Sequence, residues 1–187
     1  MRRDRAAKLG KKKRKGQLIA IGIVAAVAVG IGFGVYNYTQ NPPRSTGFGA
    51  LGSAHEHAAF KLFINNEEPV NFALAQYQVK SRFIHFEDSN AVLIHRHATG
   101  VDLGFLFESF GMKFSDQCIM LVNGTNYCNE GDKTLKFFVN GVSNNTYDRY
   151  VLRDGDRILL SYGSETEEQI QQQLNTLILI TIPTGQP

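Results

Sequence analysis

From Leu18 to Tyr36 the chain reads LIAIGIVAAVAVGIGFGVY, nineteen residues without a charge or a proline. As a helix rising about 1.5 Å per residue this run is about 28 Å long, close to the thickness of a bilayer's hydrocarbon core. Gly22, Gly30, Gly32 and Gly34 would weaken a helix in water, but glycine is common in membrane spans, and Tyr36 and Tyr38 fall where aromatic residues favour the interface. The sequence therefore predicts a single transmembrane helix over 17–38. A cleaved signal peptide is the rival reading. Its apolar region is normally about 7–15 residues and ends in small residues at a cleavage site. Here the run is longer and leads into VYNYTQNPP, which favours an uncleaved anchor.

Residues 1–16 hold nine Lys and Arg against Asp4, so this tail carries a net +8 and the other 171 residues −5 of the chain's formal +3. The positive charge sits on the tail and not on the body, which excludes a basic nucleic-acid-binding domain. By the positive-inside rule the tail is cytoplasmic and everything after Tyr38 lies outside the cell membrane. Residues 39–53, rich in Pro, Gly, Ser and Thr, read as a flexible linker.

The two cysteines, Cys118 and Cys128, lie in CIMLVNGTNYC, a spacing that is neither C-x-x-C nor a zinc ribbon. Asn123-Gly124 marks a hairpin turn between two β-rich runs. A two-residue loop would put the cysteines on opposite faces. A three-residue loop, Val122 to Gly124 with Gly124 in the left-handed region, puts Cys118 opposite Cys128. A cross-strand disulfide requires that second register and would contribute about 2–3 kcal/mol. Asn37, Asn123 and Asn144 each begin a glycosylation sequon. Both features agree with an extracytoplasmic domain.

The remaining pattern predicts an α+β domain over 54–163. AAFKLFI (58–64) is a strand, turned by Asn65-Asn66 into EPVNF. RFIHFE (82–87) and AVLIHRHA (91–98) form a hairpin around 88–90. VDLGFLFESFG is the central helix, with Leu103, Leu106, Phe107 and Phe110 on one face and Gly111 as its stop. CIMLVNG, TLKFFVNG and DRILLSYG follow as strands. Over 164–187, Ser164-x-x-Glu167 reads as a capping box that opens a short C-terminal helix with Ile170, Leu174 and Leu177 on one side. LILITIP is too short to span a membrane and reads as a strand or docking segment.

Three of these pieces, VDLGFLFESFG, LKFFVNG and YVLRDGDRILLSYG, resemble the β-grasp fold of the small sulfur carriers of thiamine and molybdenum-cofactor synthesis, with Asp154-Gly155-Asp156 at the turn before the final strand. The resemblance covers roughly 65 residues and implies the fold alone. Those carriers end in a free Gly-Gly, whereas Gly163 is followed by twenty-four more residues. The whole chain is also similar to a group of uncharacterised, membrane-anchored archaeal proteins that share HEHA, IHFED, IHRHATGV and GDRILLSYG segments. Some members carry a disulfide-isomerase label, which this chain's cysteine spacing does not support.

All five histidines lie between residues 55 and 97, four of them as His55-x-His57 and His95-x-His97. On a strand, residues two apart share a face, so each pair offers two imidazoles to one point. If Ile84, Phe86, Val92 and Ile94 face the core, His85 shares the opposite face with His95 and His97, provided that the loop between the strands is odd in length. His55 and His57 come just before the first strand and would complete or cap the site. Imidazole suits copper or zinc, and Met112 and Met120 would favour Cu(I) only if they lay nearby. The alternative is that the histidines merely hydrogen-bond Glu56, Glu87 or Asp88.

His-x-His with a third strand histidine resembles the zinc site of α-type carbonic anhydrases, which would imply a hydratase or hydrolytic enzyme with Glu56 or Glu87 as base. The chain is short for that fold, and no Ser/His/Asp or paired-carboxylate constellation stands out. The expectation is a membrane-anchored protein that binds copper or zinc through these five histidines for storage, delivery or structure. A non-enzymatic accessory subunit of a membrane or envelope complex is the alternative, its partner docking on the Ile170/Leu174/Leu177 stripe or the terminal LILITIP.

Overall fold

The computed structural model describes residues 2–40 and 47–183, with side chains over 17–36 and 47–183. It divides into two units, Met1–Arg44 and Ser45–Pro187. The first is one helix, α1 (Arg2–Gln40), unbroken from the basic tail through the apolar run. Its stretch Gln17–Tyr36 has a mean hydropathy of 2.6 and exposed side chains. A membrane span and a signal sequence both have this length and composition.

The second unit contains β1 (Glu56–Ile64), β2 (Ile84–His85), β3 (Leu93–Arg96), α2 (Leu103–Ser109), β4 (Lys113–Phe114), β5 (Cys118–Met120), β6 (Asn126–Cys128), β7 (Thr134–Val139), β8 (Val142–Ser143), a 3-10 turn at Tyr147–Arg149, β9 (Arg157–Gly163) and α3 (Glu167–Ile178). The fold is α+β. Six strands form one sheet in the order β2-β3-β1-β9-β7-β8, and β4-β5-β6 form a second, smaller one. The first and last strands, β1 and β9, pair in parallel at the middle of the large sheet, with Phe60 opposite Ile158 and Leu62 opposite Leu160. Its other pairs are antiparallel. Central strands covered on both faces read as nearly continuous apolar runs, which is why AAFKLFI and ILLSYG barely alternate.

One face of the large sheet packs Phe60, Leu62, Ile84, Phe86, Phe137 and Leu160 against α2, whose Leu103, Leu106 and Phe107 are fully buried. The Asp102 side chain caps α2 by accepting from the Phe105 N–H at 2.8 Å. Gly111, at φ +80°, ends the helix as expected. The opposite face packs Ala59, Phe63 and Leu159 against Ile170 and Leu177 of α3.

The Cys118–Cys128 disulfide is formed, and the two cysteines are directly opposed across β5 and β6. The loop is the three-residue one, with Gly124 at φ +83° and the Leu121 N–H bonded to the Thr125 carbonyl.

Several elements depart from the sequence reading. EPVNF is not a strand: Asn65 and Asn66, both at positive φ, turn the chain, but only Glu67 pairs back, to Ile64. The hairpin strands shrink to Ile84–His85 and Leu93–Arg96, because Asp88 and Ser89 adopt positive φ and splay the loop. The capping box of α3 is Thr166 with Gln169, two residues later than expected. Ser164 was displaced because Glu165, its side chain 2% exposed, is drawn in to pair with Lys136 at 2.9 Å. LILITIP is no strand: α3 runs through Ile178, and Ile180 and Ile182 then pack beside it, with Arg157 donating to the Leu177 and Ile180 carbonyls. Of the linker read over 39–53, residues 41–46 lie outside the described residues, and 47–53 are docked on the domain. Phe48 packs on Phe83 and Phe105, and the Gly49 and Gly52 N–H groups bond the Thr99 and His97 carbonyls. A Cβ at Gly49 would lie 2.1 Å from Thr99 Oγ1, so that close approach needs glycine.

Candidate metal centre

The parity argument for the histidines holds in the structure. His57 pairs with His95 across β1 and β3, and His95 with His85 across β3 and β2, so three imidazoles stand side by side on the face opposite the α2 core. His97 follows at the end of β3, its N–H bonded to the Phe83 carbonyl. His55 immediately precedes β1. Ring centroids are 4.6 Å apart for His57 and His95, 5.0 Å for His85 and His97, 5.1 Å for His55 and His97, and 4.9 Å for His55 and His57. All five histidines form one contiguous cluster.

The strands are held in this register by groups remote in sequence. The His57 N–H donates to Asp154 Oδ1 at 2.9 Å, and the His57 carbonyl accepts from the Gly155 N–H at 2.9 Å. Gly155 makes that contact at φ +84°, and Asp156 closes the same turn by accepting from Tyr150, Asn140 and the Arg153 N–H. Behind the histidines, on the core face, lies Arg96, its side chain 5% exposed. Its guanidinium donates to the Leu152 carbonyl at 3.1 Å, to the Ala98 carbonyl at 2.6 Å and to the Glu56 carboxylate. This ion pair ties β1 to β3 directly beneath His57 and His95.

One ligand atom from each of His85, Glu87 and His97 lies within 4.8 Å of the other two. His85 Nδ1 is 2.7 Å from the Ser81 carbonyl, and an oxygen that can only accept fixes the proton there. His85 Nε2 is then turned to Glu87 Oε2 at 3.0 Å. An imidazole whose Nδ1–H is given to a carbonyl while Nε2 is aimed at a carboxylate is oriented as metal-bound histidines are. The other carboxylate oxygen, Glu87 Oε1, is 3.1 Å from His95 Nδ1 but without hydrogen-bond geometry, so His95 Nδ1 is buried and without a hydrogen-bond partner. His57 Nδ1 is buried in the same state, 3.7 Å from Asp154 Oδ1. Buried ring nitrogens are rarely left so, and two of them lie beside the His85, Glu87 and His97 group.

No protein-family model, curated protein or solved structure matches the chain. The site is therefore read from its own chemistry.

Burial drives the His95 imidazole down from its ordinary 6.5 to about 4, with the other histidines adding to the effect and Glu87 opposing it. His97 is lowered by burial and by His85 and His55. Burial alone would raise the Glu87 carboxyl, but the His85 hydrogen bond and the charges of His95, His85 and His97 outweigh it and hold it below the usual carboxylate range. The lowered His95 and His97 imidazoles are neutral at neutral pH and stand beside an ionised Glu87 carboxylate, the protonation states that ligate a cation.

A pH dependence follows. Between pH 6.5 and about 4 the unfolded chain carries a proton on His95 that the folded domain refuses, so stability falls as pH falls through that window. Chelator-treated protein is expected to melt progressively lower over this range, and His95→Gln to flatten the slope. Parallel curves for the two proteins would contradict the assignment.

Of the five histidines read from the sequence as ligands, the structure brings His85 and His97 together with Glu87. It places His95 and His57 beside that set, and His55 at its exposed rim. Glu87 was seen only as a hydrogen-bond partner or base. The rule that paired His95 with His97 applies equally to His85-x-Glu87, which puts the carboxylate on the histidine face.

Proposed function

We propose that this chain is a membrane-anchored extracytoplasmic protein that holds a copper or zinc ion on the histidine face of a β-grasp-like domain. The observation that carries the metal reading is the convergence of His85, Glu87 and His97 within 4.8 Å, with His85 oriented by Ser81. Two imidazoles and a carboxylate form a three-ligand set suited to zinc or to copper, with a coordination position left over. The β-grasp reading is supported by the parallel pairing of first and last strands at the sheet centre, and by a helix that follows the first antiparallel strands. The anchor and its orientation are supported by the apolar stretch Gln17–Tyr36 and the basic residues before it.

The test is titration of the full chain in detergent, after chelation and dialysis, with Zn²⁺ and separately with Cu⁺ under reducing buffer kept too weak to open the disulfide. Stoichiometric binding of one of these ions is expected. Failure to bind either would leave the histidines as a structural polar face. In that case the exposed Ile178 and Leu179 at the end of α3, 64% and 85% accessible, would favour an accessory subunit that docks a partner there.

A further inference from the structure

We infer that His55 is the port of the cluster, an exposed imidazole that captures the ion and hands it to His97 in the His85–Glu87–His97 set. The inference rests on the metal reading above and decides what kind of metal site this is. His57 and His85 are buried and His95 and His97 half-buried, whereas His55 alone of the five is exposed. An ion arriving with its hydration shell meets His55 first.

His55 is not a loose surface residue. On its C-terminal side Glu56 opens β1 and is pinned by Arg96. On its N-terminal side, Gly52 bonds the His97 carbonyl, Gly49 bonds the Thr99 carbonyl, and Ser53 Oγ accepts from the Thr99 N–H at 2.9 Å. The chain around His55 is thus fastened to the strand end that carries His97. The ring is set 5.1 Å from His97, at an interplanar angle of 64°. Rings at that separation can both reach one ion during a transfer, so a ligand is gained before another is lost and no bare cation forms. His55 does not belong to the convergent three, so the resting ion does not require it.

Structural metal sites are closed by four protein ligands and exchange slowly, while sites with an open position exchange. A wet imidazole beside a three-ligand set is the second arrangement. It assigns the protein to metal transfer rather than to permanent structural metal. The donor or acceptor is any partner able to offer a competing thiolate, imidazole or carboxylate at the exposed rim.

The experiment is stopped-flow Zn²⁺ exchange on the full chain in detergent, with uptake from free Zn²⁺ and loss to excess EDTA, comparing wild type, His55→Ala and His55→Gln. His55→Ala is expected to slow uptake and loss together by about tenfold, leaving their ratio nearly unchanged. His55→Gln, which keeps a polar side chain but no imidazole, should behave the same way. Unchanged rates in His55→Ala would overturn the port. A variant with normal uptake but accelerated loss would also overturn it, because His55 would then be a resident ligand. Absence of Zn²⁺ uptake by the wild type is a different failure, one that removes the metal reading itself.

Discussion

His85→Ala combined with His97→Ala is expected to abolish tight binding of zinc and copper while the domain stays folded. Structural zinc contributes roughly 10–16 kcal/mol of apparent binding energy in small sites, so each of three or four ligands accounts for about 3–4 kcal/mol, roughly two to three orders of magnitude in affinity. Losing two of the convergent three leaves Glu87 with His95 beside it, too few converging ligands to hold a transition metal tightly against water. His85 is buried and bonded to Ser81, so its removal also carries a structural cost. Glu87→Gln separates the two effects. It keeps the volume and a hydrogen-bonding oxygen but removes the anionic ligand, and should weaken binding by about a hundredfold with little change in melting temperature. His95→Ala should cost less affinity than His97→Ala, because His95 stands beside the set and not within it. Retention of wild-type affinity in the double variant would refute the site.

The second large effect is on stability. Arg96→Ala removes a buried guanidinium that satisfies Glu56 and the carbonyls of Leu152 and Ala98. Breaking one side of a buried ion pair typically costs about 3–5 kcal/mol, which for a domain of this size lowers the melting temperature by on the order of 10 °C. The double change Arg96→Met with Glu56→Gln should recover part of that loss, since replacing both partners leaves no unpaired charge. A single-variant cost below about 1 kcal/mol would show that the pair is dispensable, as many exposed ion pairs are. Thermal melts of the wild type, the single variant and the double variant in one buffer settle it.

Arg96 also shows where sequence reasoning stops. The alternation that correctly placed His85, His95 and His97 on one face puts Arg96 on the other, inside the core, where a charge is expensive. It is tolerable only because Glu56, 40 residues away in sequence, lies opposite it across β1 and β3. A local pattern cannot supply that pairing. The same division runs through the fold. The α2 face, the Gly111 stop and the opposed cysteines follow from spacing and turn chemistry within about ten residues, and they were legible. The sheet order, the docking of 47–53 beside Thr99 and the shifted α3 cap depend on tertiary contacts, such as Lys136 drawing Glu165 inward. Within the site, histidine identity was legible from composition. The convergence of Glu87 with His85 and His97, and the exclusion of His95 from that set, needed the actual register.

The parallel pairing of β1 with β9 has a consequence for timing. His57 is held by Asp154 across 97 residues of sequence, so the contact needs nearly the whole domain to have been synthesised. All five histidines emerge from the ribosome before the turn and strand that fix β1 exist. A nascent chain or a truncated fragment ending before residue 154 would carry every imidazole and still lack the backbone clamp on His57. The imidazoles are made early and their geometry last, so the completed domain, and not the unfinished chain, is the species that sets the five rings in one clamped cluster.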